Sequence, residues 1–493
     1  MHFKFVAKIL GTMIVAFGLT MLVPLVVALL YGDGDWPAFA LGAALTLAFG
    51  SLLVLVFRKE ATEISNRDGF FIVTMAWVMA AAFGALPYYF HDVFATGADG
   101  FSGFLSSYTD CFFEAASGLT TTGATVLTDI EGQAHGILFW RALTHWLGGM
   151  GIIVLGVAIL PLLGIGGMQL FKAEVPGPTA DKLTPRVAET AKLLWGVYVL
   201  ITAAEVVLLL LGGMGLFDAV CHSFATLATG GFSTNNLSVE GYNSAYFDFV
   251  IAVFMLLAGA NFALHYQVLR GRWKAPWRDS EFKFYVGLTA ALMVVVTLAL
   301  YLTQTYSTLF ESFRRAFFQV PAMVTTTGFT TADFDRWPSF LRILMFAMMF
   351  VGGMSGSTGG SVKIVRIQLL LKHAYHELYR LIHPRAVIPL RLGRMSVPDH
   401  VMRSISNFII LYMSLFLLCS LIMGALGLDF LTAISSVAAT ISNVGPGLAG
   451  VGAHQNYAAI PLAGKWVLIA CMVIGRLEIY TVLVLLVPRY WRR

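Results

Sequence analysis

A short motif that ends in glycine occurs four times along the chain. Its copies, glycine motifs 1 to 4, read Thr121-Thr122-Gly123, Thr229-Gly230-Gly231, Thr326-Thr327-Gly328 and Asn443-Val444-Gly445, with their final glycines 108, 97 and 117 residues apart. Because glycine tolerates a positive φ, the backbone of each motif can turn carbonyl oxygens towards a common axis. A ring of carbonyl oxygens can replace the hydration shell of a cation. The four motifs therefore predict a pore for cations.

The oxygen atoms of these motifs are neutral, which indicates the kind of cation. Side-chain or carbonyl oxygens two positions before each final glycine can add to the ring, from Thr121, Thr229, Thr326 and Asn443. Neutral oxygens suit a hard monovalent cation, whereas a divalent cation usually binds carboxylates. One Thr-Gly pair is common in loops, but four copies at the same place in similar units are not expected by chance. We predict that all four motifs form the selectivity filter.

The composition places the motifs in a membrane. Hydrophobic residues make up 58% of the 493 residues, charged residues only 12%, and the mean hydropathy is +0.78. Soluble domains are about half apolar and about a quarter charged. Ten apolar stretches are long enough to cross a bilayer. They lie at about 5–31, 36–57, 69–90, 136–163, 190–212, 244–266, 282–304, 337–371, 404–426 and 461–488.

Four shorter apolar pieces precede the glycine motifs, at about 104–119, 217–228, 310–325 and 428–441. They are too short to cross as helices, so we expect each to enter the membrane partway and return. Their C-terminal ends carry a partial negative charge, which would favour a cation at the midplane. We predict an all-α polytopic membrane protein with four parallel M1–pore-loop–M2 pseudo-repeats around one central pore. The repeats are 69–189, 190–281, 282–402 and 403–493, after an extra N-terminal helix pair at 1–68.

The distribution of charge predicts the orientation. Most of the 32 Lys and Arg residues lie near the two termini and in the segments 58–68, 164–192, 267–283 and 363–403. By the positive-inside rule these segments and both termini are cytoplasmic. Six basic residues fall on the opposite side, namely Arg141, Arg314, Arg315, Arg336, Arg342 and Lys465. That side also carries an excess of acidic residues, among them Asp110, Glu114 and Asp248, which either attract cations to the mouth or are ordinary solvated loop charges.

The chain resembles the Trk/Ktr/HKT superfamily of potassium transporters, and within it the Trk type. The resemblance spans essentially the whole chain and rests on FFEAASGLTTTGATVL (112–127), HSFATLATGGFST (222–234), VTTTGFTTADF (324–334), GGMSGSTGGSVKIVR (352–366), NVGPGL (443–448) and GRLEIYTVL (475–483). It implies K⁺ uptake across the bacterial inner membrane. In plant members, serine at the first filter glycine accompanies sodium transport, so Gly123 favours potassium. Na⁺ and NH₄⁺ remain alternatives for the same fold.

A glycine-rich segment, 352–361, interrupts the eighth apolar stretch. Its glycines disfavour a stiff helix, and irregular backbone at membrane depth is tolerated only where it is buried in protein or lines a cavity. They are Gly352, Gly353, Gly356, Gly359 and Gly360. A phosphate-binding loop is excluded because no Gly-Lys-Ser/Thr follows and no strand precedes. The resemblance implies an intramembrane gating loop, and a simple kink between packed helices is the alternative.

Arg476 is the lone basic residue deep within the last apolar stretch, and we place it about halfway down a helix. A guanidinium below a cation filter would repel passing cations. The resemblance implies that the matching arginine restricts the pore together with the gating loop. A buried ion pair, for example with Glu205, is the alternative. Lys363 is expected at the cytoplasmic end of its helix rather than in the pore.

The resemblance also implies partners. These are a second copy of the chain, forming a homodimer, and a TrkA-like cytoplasmic ring that binds nucleotide. No nucleotide motif occurs in this chain, so ATP, ADP or NAD would act only through that ring. The basic loops are expected to contact membrane lipids, and no nucleic acid is expected. K⁺ is the transported ion, and uptake is either channel-like or a symport with H⁺ or Na⁺.

A membrane-integral enzyme is a remote alternative. Such an enzyme needs a nucleophile close to a base, or a metal-binding set such as H-E-x-x-H. The sequence contains no such motif. We therefore predict no catalytic residues and no bound cofactor.

Overall fold

The protein is described by a computed structural model that covers residues 2–59, 65–94, 100–154, 183–384, 389–393 and 395–492. Within these residues, six helices are long and apolar enough to cross a membrane, or up to eight if two bent helix pairs each count as one span. The strands of this part of the chain are a two-residue antiparallel pair, Arg391–Leu392 and Met395–Ser396. The helices and the composition indicate a protein that crosses the membrane several times.

The N-terminal helix pair is held together by close backbone contact. Phe3–Thr20 continues almost directly into Leu22–Tyr31, and Trp36–Val56 then packs against it. A Cβ atom built on Gly11 would lie 2.9 Å from the carbonyl oxygen of Gly50, and one on Gly50 would lie 2.9 Å from that of Gly11. Glycine at both positions therefore lets the two helices approach each other, as small residues commonly do in membranes.

The remaining helices follow in an order that resembles the predicted alternation of long and short elements. They are Asn66–Gly84, Leu86–Phe90, Gly100–Leu119, His135–Val154, Leu183–Leu211, Leu216–Leu227, Ala245–Ala258, Phe262–Leu269, Ala275–Arg278, Ser280–Leu302, Leu309–Val324, Ser339–Met348, Ile364–Ile382, Asp399–Ala425, Phe430–Ile441, Leu462–Arg476, Tyr480–Leu483 and Pro488–Trp491. Short 3₁₀ turns lie at Ser238–Tyr242, Phe334–Arg336, Ala449–Val451 and Val484–Leu486. Residues 155–163, the end of the fourth predicted span, lie outside the described residues.

Each glycine motif follows a helix that ends two residues before it, with one residue between helix and motif. These four helices, called short helices 1 to 4 below, are Gly100–Leu119, Leu216–Leu227, Leu309–Val324 and Phe430–Ile441. Side-chain caps fix where two of them begin, since Thr308 accepts a hydrogen bond from the Glu311 amide and Asp429 accepts one from the Thr432 amide. All four agree with the apolar pieces predicted from the sequence, although the first begins about four residues earlier.

Two predicted spans are not straight helices. The stretch 244–266 bends by 101° between Ala245–Ala258 and Phe262–Leu269, and 461–488 bends by 111° after Leu462–Arg476. At the first break, Asn261 caps the next helix by accepting a hydrogen bond from the Ala263 amide at 2.8 Å. At the second, Glu478 and Ile479 have positive φ angles of 58° and 53°, which a right-handed helix cannot contain. Both halves of each stretch are apolar, so hydropathy alone does not reveal the bend.

The predicted span 337–371 is broken where its glycines are concentrated. The helices Ser339–Met348 and Ile364–Ile382 are separated by irregular backbone that contains the glycine-rich segment. The ends of this segment meet, because the Gly352 amide donates a hydrogen bond of 2.8 Å to the Val362 carbonyl. The segment is therefore a closed loop and not a kink within one continuous helix.

Candidate cation site

The four glycine motifs share one backbone conformation. The first residues of motifs 1 to 4 have φ angles of 52°, 55°, 62° and 54°, and their final glycines have φ angles of 79°, 83°, 76° and 97°. Positive φ is rare for a β-branched residue, yet three of the four first residues are threonines. Such strain persists only where the surrounding structure imposes it, and it occurs preferentially at functional sites.

The motifs also contact one another in a closed cycle. A Cβ atom built on each final glycine would meet the carbonyl oxygen of the residue that precedes the final glycine of the next motif. The pairs are Gly123 with Gly230 (2.0 Å), Gly231 with Thr327 (2.1 Å), Gly328 with Val444 (1.8 Å) and Gly445 with Thr122 (2.5 Å). Because these distances are too short for any side chain, glycine is required at all four positions. The cycle runs from motif 1 to 2, 3 and 4 and returns to motif 1.

The groups that the cycle gathers are neutral oxygen ligands. Side-chain hydroxyls support the motifs in pairs, with Thr120 bonded to Thr122 and Thr325 bonded to Thr327, each at 2.7 Å. The side-chain Nδ2 atom of Asn443 donates to the Thr122 hydroxyl at 2.9 Å, and this hydrogen bond joins motif 4 to motif 1. Within the described residues, no three His, Cys, Asp or Glu side chains are grouped as metal ligands. The arrangement suits a monovalent cation better than a divalent one.

The ends of the four short helices meet at the same place. Each helix ends just before its motif, so the four C-terminal ends approach the cycle together. The C-terminal end of a helix carries a partial negative charge equivalent to about half an electron. Four such ends, together with the carbonyl oxygens, make this part of the protein favourable for a cation.

The glycine-rich segment lies against motifs 3 and 4. The Gly360 amide donates a hydrogen bond of 2.7 Å to the hydroxyl of Thr326, the first residue of motif 3. A Cβ atom on Gly360 would lie 2.6 Å from the Ser442 carbonyl oxygen, next to motif 4. The Thr358 hydroxyl donates to the Leu227 carbonyl at 2.9 Å, at the end of short helix 2. The segment thus contacts three of the four motif regions.

Arg476 contacts the glycine-rich segment through its side chain. The Arg476 side chain is buried, and it donates to the Thr358 carbonyl at 2.7 Å and to the Gly148 carbonyl at 3.2 Å. It is the last residue of Leu462–Arg476, so the prediction that it lies halfway down a helix is wrong. The reason is the break at 478–479 described above. Glu205 is not the ion-pair partner of Arg476 in this structure, because the recorded partners of the guanidinium are carbonyl oxygens.

Two further charged side chains contact the glycine-rich segment. The amino group of Lys363, which lies directly before the helix Ile364–Ile382, is buried and donates to the Gly359 carbonyl. Its expected place at the cytoplasmic end of a helix stays a prediction. Glu281 accepts a hydrogen bond of 2.7 Å from the Ser355 amide. Glu478 pairs with Arg366. Sequence reasoning missed Glu281 because it lies 74 residues before Ser355 and belongs to no motif.

Several charges that the sequence placed on the outer side form ion pairs that are wholly or largely buried. Arg141 pairs with Glu114 at 2.8 Å, and their side chains are 2% and 0% exposed. Arg314 pairs with Asp248 at 2.7 Å, and Lys465 pairs with Asp110 at 2.6 Å. These acids are neutralised by their partners, so they add little to a field that attracts cations. These three acids are therefore ion-paired and are not the solvated loop charges that the sequence also allowed.

The segments that follow the glycine motifs are also joined to each other. The Asp335 carboxylate accepts a hydrogen bond of 3.0 Å from the Ala449 amide, which links the segments that follow motifs 3 and 4. Partial burial raises the pKa of Asp335 above its ordinary value, and the same hydrogen bond opposes that shift. His454 bonds to Glu240 at 2.8 Å and so links the segments that follow motifs 2 and 4.

Comparisons with known proteins cover the whole chain. The TrkH family, described as a cation transport protein, matches residues 36–493. The Trk system potassium uptake protein TrkH of Escherichia coli (strain K12) is 45% identical over 494 residues, with all of both chains covered. TrkG of the same strain is 35% identical over 493 residues, covering 100% of this chain and 99% of TrkG. The crystal structure of the potassium transporter TrkH from Vibrio parahaemolyticus superposes with a TM-score of 0.90 at 40% identity over 100% of both chains.

Proposed function

The chain belongs to the TrkH family of cation transport proteins, and from that membership we propose that it takes up K⁺ through a pore lined by the four glycine motifs. The family resemblance read from the sequence is confirmed. The enzyme alternative is excluded, because the relatives are transporters. The observation that carries the proposal is the closed cycle of contacts, in which each final glycine faces a carbonyl oxygen of the next motif.

K⁺ is the ion that the motifs favour. Their oxygens are neutral, and Gly123 occupies the position at which a serine accompanies sodium transport in plant members of the superfamily. The relatives are named as potassium uptake proteins. The pore is built from four parallel repeats, at 69–189, 190–281, 282–402 and 403–493, after the N-terminal pair at 1–68. Na⁺ or NH₄⁺ conduction through the same pore is the alternative.

The glycine-rich segment and Arg476 form the gate of this pore. Support comes from the hydrogen bonds of the segment to motif 3 and to the end of short helix 2. Arg476 holds the segment in place through Thr358 and brings a positive charge close to the cation path. Opening would break these hydrogen bonds, move the segment aside and separate the guanidinium from the path.

Control of the gate comes from the cytoplasm. The chain lies in the bacterial inner membrane with both termini cytoplasmic, and two copies form a homodimer. A TrkA-like ring binds the basic cytoplasmic loops and supplies the response to ATP, ADP or NAD. The same loops carry exposed Trp273 and Trp277 beside arginine and lysine residues, which suits contact with anionic lipids. Symport with H⁺ or Na⁺ stays a prediction. Measuring ⁸⁶Rb⁺ uptake under an imposed H⁺ or Na⁺ gradient tests it.

The test is uptake of ⁸⁶Rb⁺ by proteoliposomes that contain only this chain and are loaded with K⁺. External K⁺ should abolish uptake, whereas equal Na⁺ or NH₄⁺ should not. Inhibition by Na⁺ or NH₄⁺ as strong as that by K⁺ would contradict the proposed selectivity. Where the unmodified chain shows no uptake, the Arg476→Ala chain separates a closed pore, which would now conduct, from a chain that does not transport at all.

A further inference from the structure

A buried ion pair lies behind glycine motifs 1 and 2. Glu114 belongs to short helix 1 and Arg141 to the helix His135–Val154, and the Arg141 Nε atom lies 2.8 Å from Glu114 Oε1. Their side chains are 0% and 2% exposed, respectively. A buried ion pair is costly unless further hydrogen bonds satisfy its remaining atoms. The additional partners of this pair are therefore informative.

Those partners belong to the residues that follow motifs 1 and 2. The Thr125 hydroxyl lies 2.9 Å from Glu114 Oε1 and 3.3 Å from Arg141 Nη2. Arg141 Nη1 donates to the Ser233 carbonyl at 3.2 Å, and the guanidinium lies over the Phe232 ring at 4.1 Å from its centroid. Thr125 and Ser233 are each two residues after the final glycine of their motif. The ion pair therefore joins equivalent positions of two neighbouring motifs.

Glu114 also occupies a position that recurs in the other short helices. The residues nine positions before the four final glycines are Glu114, His222, Gln319 and Ser436. Two more of them bond to the segment after their own glycine, since His222 contacts the Ser233 hydroxyl at 3.0 Å and Gln319 donates to the Phe329 carbonyl at 3.3 Å. Ser436 bonds within its own helix, to Ala433. The first unit differs from these because its link is an ion pair that extends to the next motif.

We propose that Glu114 and Arg141 are positioning residues that fix motifs 1 and 2 relative to each other and thereby set the discrimination between K⁺ and Na⁺. This inference rests on the proposed function. A ring of carbonyl oxygens discriminates between cations only while the surrounding structure holds its oxygens in place. The pair holds two of the four motifs through the residues that directly follow them. It also keeps the Arg141 charge neutralised close to the path of the cation.

The decisive variants separate charge from position. Glu114→Gln keeps the side-chain shape but leaves Arg141 without its carboxylate, so the K⁺ concentration for half-inhibition of ⁸⁶Rb⁺ uptake should rise roughly tenfold. The double variant Glu114→Gln/Arg141→Gln removes both charges, so that concentration should return towards the unmodified value. In the double variant, the Na⁺ concentration for half-inhibition divided by the K⁺ concentration for half-inhibition should still be about tenfold lower than in the unmodified chain. The reason is that motifs 1 and 2 are no longer joined. A normal ratio in the double variant overturns the positioning role.

Asp248→Asn is the matched control. It breaks the largely buried Asp248–Arg314 pair, which is 2.7 Å long and joins the helix Ala245–Ala258 to short helix 3. Within the described residues, the hydrogen bond of the Arg314 side chain is to Asp248, and none joins this pair to a residue that follows a motif. The control should lose thermal stability comparably to Glu114→Gln while keeping its discrimination. Equal loss of discrimination in both variants would show a general packing effect and reject the proposal.

A second measurement covers variants that do not conduct. K⁺ bound at the filter should raise the Tm of the full chain in detergent more than Na⁺ does, because a ligand stabilises the folded state to which it binds. Glu114→Gln should abolish this difference, and Arg141→Lys, which keeps the charge but loses the forked contact, should reduce it. An unchanged difference in both variants rejects the proposal, as does failure of both to fold while Asp248→Asn folds. If the unmodified chain shows neither K⁺-inhibited uptake nor K⁺-specific stabilisation, the proposed function itself fails.

Discussion

Single residues in the glycine motifs adopt a conformation that their own chemistry disfavours. Thr121, Thr229 and Thr326 have positive φ angles although threonine is β-branched. The motifs are packed tightly against one another. Each final glycine leaves room for a carbonyl oxygen of the next motif at a distance that no side chain allows. At this scale the proposed selectivity depends on a missing Cβ atom as much as on the oxygens that are present.

The first residue-scale prediction concerns Gly123→Ser. The new Cβ would lie 2.0 Å from the Gly230 carbonyl oxygen, so motif 1 or motif 2 must shift. We expect a folded chain whose preference for K⁺ over Na⁺ in ⁸⁶Rb⁺ competition falls by about tenfold or more. Gly287→Ser is the control, because a Cβ there meets nothing within 4 Å. Unchanged selectivity in Gly123→Ser would count strongly against the filter assignment.

Arg476→Ala tests the gate at the same scale. The substitution removes hydrogen bonds to the Thr358 and Gly148 carbonyls and a positive charge near the proposed path. Because charge-assisted hydrogen bonds contribute about 1.5–3 kcal/mol each, unstimulated flux should rise at least about tenfold. Influx and efflux of ⁸⁶Rb⁺ in proteoliposomes measure the change, and both directions should be faster. Equal flux in the variant and the unmodified chain would remove Arg476 from the gate.

At the scale of elements, the glycine-rich segment, which is part of the proposed gate, is bonded directly to the proposed filter. Its Gly360 amide donates to the Thr326 hydroxyl, which belongs to motif 3. Thr358 contacts the ends of short helix 2 and of Ala245–Ala258. A movement of the segment would therefore change the hydrogen bonding of motif 3, which would link the proposed gate to the proposed filter.

Thr326→Val measures this link. Valine keeps the shape of threonine but leaves the buried Gly360 amide without its acceptor, at a cost of about 1–3 kcal/mol to the closed arrangement. Unstimulated ⁸⁶Rb⁺ uptake should rise by about fivefold or more. Thr326→Ser retains the hydroxyl and should behave like the unmodified chain. If valine and serine give the same uptake, the hydrogen bond does not hold the segment closed.

In the N-terminal helix pair, by contrast, a substitution should lower stability without changing the discrimination between K⁺ and Na⁺. Gly11→Val would place a Cβ 2.7 Å from the Leu53 Cβ, so the packing of Phe3–Thr20 against Trp36–Val56 must open. Overpacking of this kind costs about 1–3 kcal/mol, so the Tm should fall. Discrimination between K⁺ and Na⁺ should be unchanged, because this pair lies outside the four repeats. A loss of discrimination would mean that the pair also supports the filter.

At the scale of the whole molecule, the charge distribution predicts the orientation in the membrane. Exposed Lys274 lies in a basic segment, and exposed Gln455 lies in the segment after motif 4. In intact cells, a membrane-impermeant thiol reagent should label Gln455→Cys but should label Lys274→Cys only after the cells are opened. The unmodified chain, whose cysteines are buried or only partly exposed, is the control. The reverse labelling pattern would invert the proposed topology.

The sequence by itself determined the membrane character, the family, the four short helices and the four glycine motifs, because hydropathy and glycine spacing are local properties. Only the tertiary structure decided the closed cycle of motifs, the two sharp bends, the position of Arg476 at a helix end and the burial of Lys363. The same holds for the ion pair of Glu114 and Arg141, two residues that the sequence placed on the outer side. From the sequence alone, a charged residue near the end of a predicted helix is interpreted as solvated, because the sequence does not show its partner on a distant helix. Arg141 lies 27 residues from Glu114 and 92 from Ser233, so only the packing of separate units shows what it joins.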